Sequence, residues 1–166
     1  MSWNDPAPLG DAMTDADYQR FVKYVKPVEL SNSHDPLAPY KISRRVVSLW
    51  VDMRTYAAVP FIVYPNGAFA PGVGHDFANS FHYPQPPEGL GLAIDFYMEG
   101  KTIISQFLIA SRFPWTGIGL YPFAKPYAGV HCDLRPADVR ALWWKNAHGE
   151  YRDITYDDLQ NNFGLG

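Results

Sequence analysis

The chain has 166 residues, with 14 Lys and Arg against 17 Asp and Glu for a net charge of -3; that length suits one ordinary domain with a sizeable core. The charge balance supplies no electrostatic footprint for nucleic acid or an anionic membrane surface, and a single cysteine, Cys132, excludes an internal disulfide. No stretch is long enough to span a bilayer, and Met1-Ser2-Trp3-Asn4-Asp5-Pro6 lacks a basic segment followed by an apolar run, so synthesis without Sec export is expected.

No internal repeat or strong linker interrupts the chain, and residues 1–166 read as one domain. Residues 1–12, rich in Pro, Asp and Gly, read as an irregular arm. Thr14 followed by Asp17 predicts a capped helix whose apolar positions Tyr18, Phe21, Val22 and Val25 recur at helical spacing. Residues 27–42 carry three prolines and few periodic apolar positions, which predicts a wrapping loop. Ser43 is placed to cap a second helix through Val46, Val47, Trp50, Val51 and Arg54, ending before Pro60. Phe61-Ile62-Val63-Tyr64 predicts a short buried strand that enters a turn at Pro65-Asn66-Gly67. Residues 65–89 are dense in Gly, Pro and aromatic residues and read as a long loop bordering a site.

In a strand over 90–96, alternation puts Gly91, Ala93 and Asp95 on one face and Leu90, Leu92, Ile94 and Phe96 on the other. Thr102 to Arg112, with Ile103, Ile104, Phe107, Leu108 and Ser111, predicts a helix. In a strand over 129–134, His131 and Asp133 share one face, leaving Val130, Cys132 and Leu134 to the core. Pro136 and Asp138 suit the first turn of a helix running through Trp143 and Trp144. Thr155 with Asp158 reads as one more capped start, with Gly164 a stop. The sum is an α+β domain, a small, mostly antiparallel sheet with helices packed on its sides and a site in a groove across the sheet.

His82, Asp95 and His131 carry the chemistry. Two imidazoles and one carboxylate leave a fourth position open on a tetrahedral zinc ion, the arrangement of a hydrolytic rather than a structural metal. A carboxylate within an apolar strand is costly unless paired or coordinated, which strengthens the case for Asp95. Asp133, on the face of His131, is either a proton carrier or the carboxylate that orients that imidazole. Of the remaining histidines, His34 lies in the Pro-rich loop, His148 beside Gly149 reads as a helix-end cation, and His75 is an alternative ligand or proton carrier. Aromatic residues form 16% of the chain, and most must close the interior. Tyr83, Tyr121 and Tyr127 flank the proposed ligands, either as packing or as contacts to a peptide or glycan.

Ser80-x-His82 followed by Gly91-x-Ala93-x-Asp95 resembles the first signature, Ser-x-His-x-x-Gly-x-Ala-x-Asp, of the zinc D-alanyl-D-alanine carboxypeptidase and L-alanyl-D-glutamate endopeptidase superfamily. Vancomycin-resistance peptidases and phage endolysins belong to it. Gly129-Val130-His131-Cys132-Asp133, with Arg135 after it, resembles the second signature. Gly117-Ile118-Gly119-Leu120-Tyr121-Pro122 is similar to the lead-in of several branches, and Ala141-Leu142-Trp143-Trp144 to their closing helix. The likeness covers roughly residues 43–145. It implies a hedgehog/DD-peptidase-like fold, Zn2+ held by His82, Asp95 and His131, and cleavage of an amide bond in peptidoglycan stem peptides. Asp133 would then carry the proton, and Arg135 and Tyr121 would contact the substrate. A phage or prophage lysin released through another protein's pore would reconcile the missing leader with an external substrate.

Three departures accompany the resemblance. His82 lies thirteen positions before Asp95 where the family has seven, so a Pro-rich insertion, Tyr83 to Glu88, must loop out, and Glu88 takes the sevenfold spacing as an alternative ligand. The family's usual acidic or His proton acceptor, three residues before the last ligand, is Ala128 here, which leaves Asp133, Glu88 and His75 as candidates. The loop that carries a carboxylate-binding Arg in the family reads Asn66-Gly67-Ala68-Phe69, so Arg112, Lys125 or Arg135 would have to supply that cation. A binding or phage-assembly module that keeps the fold without catalysis is the competing expectation.

Overall fold

A computed structural model describes residues 11–30, 38–68, 80–83 and 89–163. Four helices, α1 (Asp15–Phe21), α2 (Pro27–Leu30), α3 (Arg44–Ala57) and α4 (Ile103–Ala110), accompany six strands: β1 (Phe61–Val63), β2 (Ala93–Met98), β3 (Gly117–Tyr121), β4 (Gly129–Asp133), β5 (Ala141–Lys145) and β6 (Tyr151–Asp153). The strands form one sheet in the order β1-β2-β4-β3-β5-β6.

Local signals set the helices. Thr14 and Asp17 form the expected reciprocal capping box at α1, and Tyr18, Phe21 and Val25 enter the core while Val22 stays exposed. Ser43 occupies the N-cap position of α3, but its hydroxyl makes no capping bond and is buried without a partner. Ala58 ends α3 in the left-handed conformation. Thr102 caps α4 through the Ser105 amide. The predicted wrapping loop over 27–42 instead contains α2 and a 3-10 turn at Ala38–Lys41.

The core lies on one face of the sheet. Ile94 and Phe96 of β2, Ile118 and Leu120 of β3, and Val130 and Cys132 of β4 are fully buried there, so Cys132 is core as the alternation predicts. Trp50 of α3 meets the rings of Phe61 and Phe96 edge-on, which fastens α3 to β1 and β2. Buried Gln106 ties α4 to the strands: its Oε1 accepts from the Met98 amide (3.1 Å), and its Nε2 donates to the carbonyls of Lys101 (3.1 Å) and Ala128 (3.0 Å).

The sheet is mixed, which corrects the expectation of a mostly antiparallel one: β3 and β5 run parallel. The cause is the segment predicted as a closing helix. Residues 136–140 form no helix, and Ala141–Lys145 is a strand that pairs with β3 on one side and antiparallel with β6 on the other. Arg140 explains the path. Its guanidinium donates to the carbonyls of Ser111, Phe113 and Trp115, each at 2.9 Å, and so holds the chain against the end of α4 as it passes from β4 to the far side of β3. Leu142 and Trp144 then turn to the core and Trp143 to the opposite face, a period of two that a helix cannot satisfy.

Asn146 to Glu150 make the β5–β6 turn, so His148 is an exposed turn residue and not a helix-end cation. Thr155 and Asp158 do form a reciprocal box, but the helical turn they open widens to a π-helix at Asp158–Asn162. Most of the predicted arm, His34, and Gly164 lie outside the described residues. No helix among those described is long and apolar enough to cross a membrane.

Gln106→Leu should lower stability, because each buried backbone group stripped of its partner costs about 1–3 kcal/mol. Urea denaturation should show a lower midpoint with an unchanged slope; an unaltered midpoint would mean that water replaces the amide without loss.

Candidate metal centre

The opposite face of the sheet collects the polar residues. Cross-strand pairing places Asp95 of β2 beside His131 of β4, His131 beside Gly119 of β3, and Gly119 beside Trp143 of β5. The neighbouring row runs Ala93, Asp133, Gly117, Ala141. The glycines are required by their neighbours. A Cβ on Gly119 would lie 2.6 Å from the Trp143 indole, and one on Gly117 2.3 Å from an Asp133 carboxylate oxygen. The missing side chain of Gly119 lets Trp143 lie across β3 against the His131 ring, with centroids 5.1 Å apart, and that of Gly117 makes room for the Asp133 carboxylate.

His82 reaches this face from the short segment 80–83. The Leu92 amide donates to the Phe81 carbonyl at 2.7 Å, which fixes that segment beside the start of β2. Opposite Asp95 the extension of β1 bulges: the Tyr64 amide donates to the Asp95 carbonyl, and the Asp95 amide to the Gly67 carbonyl, with Pro65 and Asn66 looped between them. The bulge delivers the next carbonyl, that of Ala68, to His82, whose Nδ1 donates to it at 2.7 Å.

The three predicted ligands meet. His82, Asp95 and His131 each offer one donor atom, all within 4.8 Å of one another. His82 Nε2 is 3.3 Å from His131 Nδ1 and 3.3 Å from Asp95 Oδ2. A tetrahedral zinc with ligand distances of about 2.0–2.1 Å sets its ligand atoms roughly 3.3–3.4 Å apart, so both separations suit it. The third, His131 Nδ1 to Asp95 Oδ1, is a direct 2.6 Å hydrogen bond that a metal would replace.

Hydrogen bonding also selects the nitrogens. With Nδ1 of His82 donating to Ala68, its Nε2 faces the cluster. His131 is oriented the other way round: Nε2 is 2.8 Å from Asp133 Oδ2, and Nδ1 faces Asp95. Each imidazole is thus held from behind, the arrangement that fixes tautomer and ring orientation in metal sites.

Asp133 is fully buried beyond His131, and Arg135 grips both its oxygens, Nε at 2.9 Å from Oδ1 and Nη2 at 2.5 Å from Oδ2. The Arg135 guanidinium lies over the rings of Phe81 (4.8 Å) and Trp143 (4.4 Å). Tyr121, at the end of β3, sets its ring edge-on to His131 with centroids 6.3 Å apart. Burial and the nearby Asp95 charge push the Tyr121 hydroxyl's pKa well up, so it stays a proton donor.

The other sequence candidates fall elsewhere. Arg112 lies in the helix layer over the ring of Tyr56, Lys125 is exposed, and Ala128 presents only a methyl group. Tyr127 is exposed and packs on Tyr97. Glu88 and His75 lie outside the described residues. Sequence reasoning missed Trp143, Phe81 and the Ala68 carbonyl. Gly117-x-Gly119 was the available sign of something bulky crossing β3.

Comparison of the chain with protein-family models, curated proteins and solved structures finds no match.

Without metal the cluster is an ion network. Burial pushes the His131 pKa down, but the charges and hydrogen bonds of Asp95 and Asp133 outweigh it and raise the imidazole to about 9. Burial raises the two carboxylates, and their hydrogen-bonding and charged partners more than offset it: His82 and His131 hold Asp95 well below its ordinary value, and His131 and Arg135 do the same for Asp133. His131, raised from 6.5, therefore contributes stability that is complete below pH 6.5 and is lost as pH rises through 9. The carboxylates contribute above their ordinary 3.8 and lose that contribution on acidification below it. Chelator-treated protein should thus be more stable at about pH 6 than at about pH 9.5, by of the order of 1–3 kcal/mol. Urea midpoints check this, and His131→Gln should flatten the alkaline decline; equal midpoints in the parent chain would contradict the network.

Proposed function

We propose that this chain is a zinc-dependent hydrolase of an amide bond in the stem peptides of bacterial peptidoglycan. The observation that carries the reading is the convergence of His82 Nε2, His131 Nδ1 and the Asp95 carboxylate on the sheet face opposite the core. The choice of zinc and of substrate rests on the two sequence signatures. Bound there, zinc would lower the pKa of a water to about 7 and polarise the scissile carbonyl.

The chain's own residues supply the rest. Asp133, with both oxygens engaged, suits the orienting role better than that of a proton carrier: it holds the His131 Nε2 proton and keeps Nδ1 directed at the cluster. Arg135, bound to Asp133, serves the same end in preference to a substrate carboxylate. Trp143 walls the site, excluding water from one side of His131. The Tyr121 hydroxyl, kept protonated near Asp95, is the group we assign to donate a hydrogen bond to the substrate. With Asp133 committed, Glu88 and His75 remain the candidates to take the proton from water and pass it to the leaving amine. Release of the protein from a lysing cell, as with a phage lysin, would bring it to this substrate.

The methyl of Ala128 and the engagement of Arg135 favour a second reading, a cell-wall-binding or assembly module that keeps the fold, with or without the metal, and lacks catalysis. Zinc analysis and amine release from purified peptidoglycan separate the two. The hydrolase binds about one zinc per chain and releases amines, and His131→Ala loses both while remaining folded by circular dichroism. Zinc without turnover selects the module. A chain that takes up no zinc rejects the hydrolase.

A further inference from the structure

Arg135 touches two parts of the centre that are far apart in sequence. Through Asp133 it reaches His131: the guanidinium binds both carboxylate oxygens, and Oδ2 is 2.8 Å from His131 Nε2. Through Phe81 it reaches His82: the same guanidinium lies 4.8 Å from the centre of the Phe81 ring, one residue before that ligand. The guanidinium also lies over Trp143, at 4.4 Å, which itself lies against His131. The backbone at this position is also held, since the Arg135 amide donates to Asp133 Oδ1 and its carbonyl accepts from the Thr116 hydroxyl at 2.7 Å.

We propose that Arg135 is a positioning residue for metal capture, setting His131 through Asp133 and His82 through Phe81 so that the two imidazoles meet at one ion. The inference rests on the metal reading of the site but not on the hydrolytic one. A planar cation is what both tasks need. Its fork matches two carboxylate oxygens, and its faces stack on aromatic rings, neither of which a lysine ammonium reproduces. Asp95 needs no such help, because β2 pairs directly with β4 at His131. His82 comes from a separate short segment, and Arg135 joins that segment to the strand bearing His131.

The test measures zinc affinity by competition with a chromophoric chelator, alongside the thermal midpoint of the chelator-treated protein, for the parent chain, Arg135→Lys, Arg135→Met, Phe81→Leu and the double variant Arg135→Met with Phe81→Leu. Loss of an outer hydrogen-bonding partner of a metal ligand typically costs about 10–100-fold in affinity. Arg135→Met should lose that much, Arg135→Lys should recover only part of it, and Phe81→Leu should lose less. The double variant should bind zinc more tightly than the product of the two single losses predicts, because both act through one contact. Arg135→Lys, which keeps the charge, guards against a Met variant that does not fold. Zinc affinity within twofold of the parent in Arg135→Lys and Arg135→Met overturns the proposal, as does full rescue by lysine. Affinity that falls only in step with the metal-free thermal midpoint overturns it too. A parent chain that binds no zinc removes the metal reading itself, whereas zinc binding without peptidoglycan turnover rejects the hydrolase and leaves this comparison decisive.

Discussion

The pairing of Asp95 with His131 across β2 and β4 is the constraint around which the rest of this structure is arranged. Two strands that must bury Ile94, Phe96, Val130 and Cys132 on one side have no freedom to turn their alternate residues anywhere but the other side. The hydrophobic register therefore sets the polar register. A slip of one residue would carry Asp95 and His131 into the core and expose the apolar set. The same alternation continues into β3, whose Ile118 and Leu120 are buried while Gly117 and Gly119 leave the site face low.

Such a concentration of charge is expensive to bury unless every group finds a partner. Here the compensation runs in a chain: Asp95 to His131, His131 to Asp133, and Asp133 to Arg135. His82 joins from the side, with its outer nitrogen satisfied by a backbone carbonyl. Within this network the hydrogen bond between His131 Nδ1 and Asp95 Oδ1 spans the place a cation would take. The same geometry could present ligands to a metal, and a proton and a metal would then compete for the same nitrogen.

The helices serve this face indirectly. By packing α3 and α4 against the apolar side, through Trp50 and Gln106 among others, the fold leaves the opposite side of the central strands to the bulge after β1, the segment bearing His82, and the indole of Trp143. The parallel entry of β5 shapes the candidate site as much as the topology. Had 141–144 formed the expected helix, Trp143 would not lie over Gly119, and Arg135 would lack one of the rings it lies over.

Periodicity and capping chemistry made α1, α3, α4, β1, β2 and β4 legible, because each is decided by residues a few positions apart: Thr14 with Asp17, Ile103 with Phe107, Ile94 with Phe96. The three donors were legible for the same reason, as polar residues at alternating positions in apolar strands or in a signature around them. Strand β5 was not, since Pro136 and Asp138 carry a genuine helix-start signal that the distant carbonyls of Ser111, Phe113 and Trp115 override through Arg140. The role of Asp133 also stayed open. A residue two places from His131 on the same strand face lies beside that imidazole whichever task it performs, and nothing local in the sequence shows that Arg135 binds both of its oxygens. The sequence by itself determined which side chains face away from the core; the tertiary structure alone decided which of them touch, because that depends on strand order and on loops whose contacts are remote along the chain.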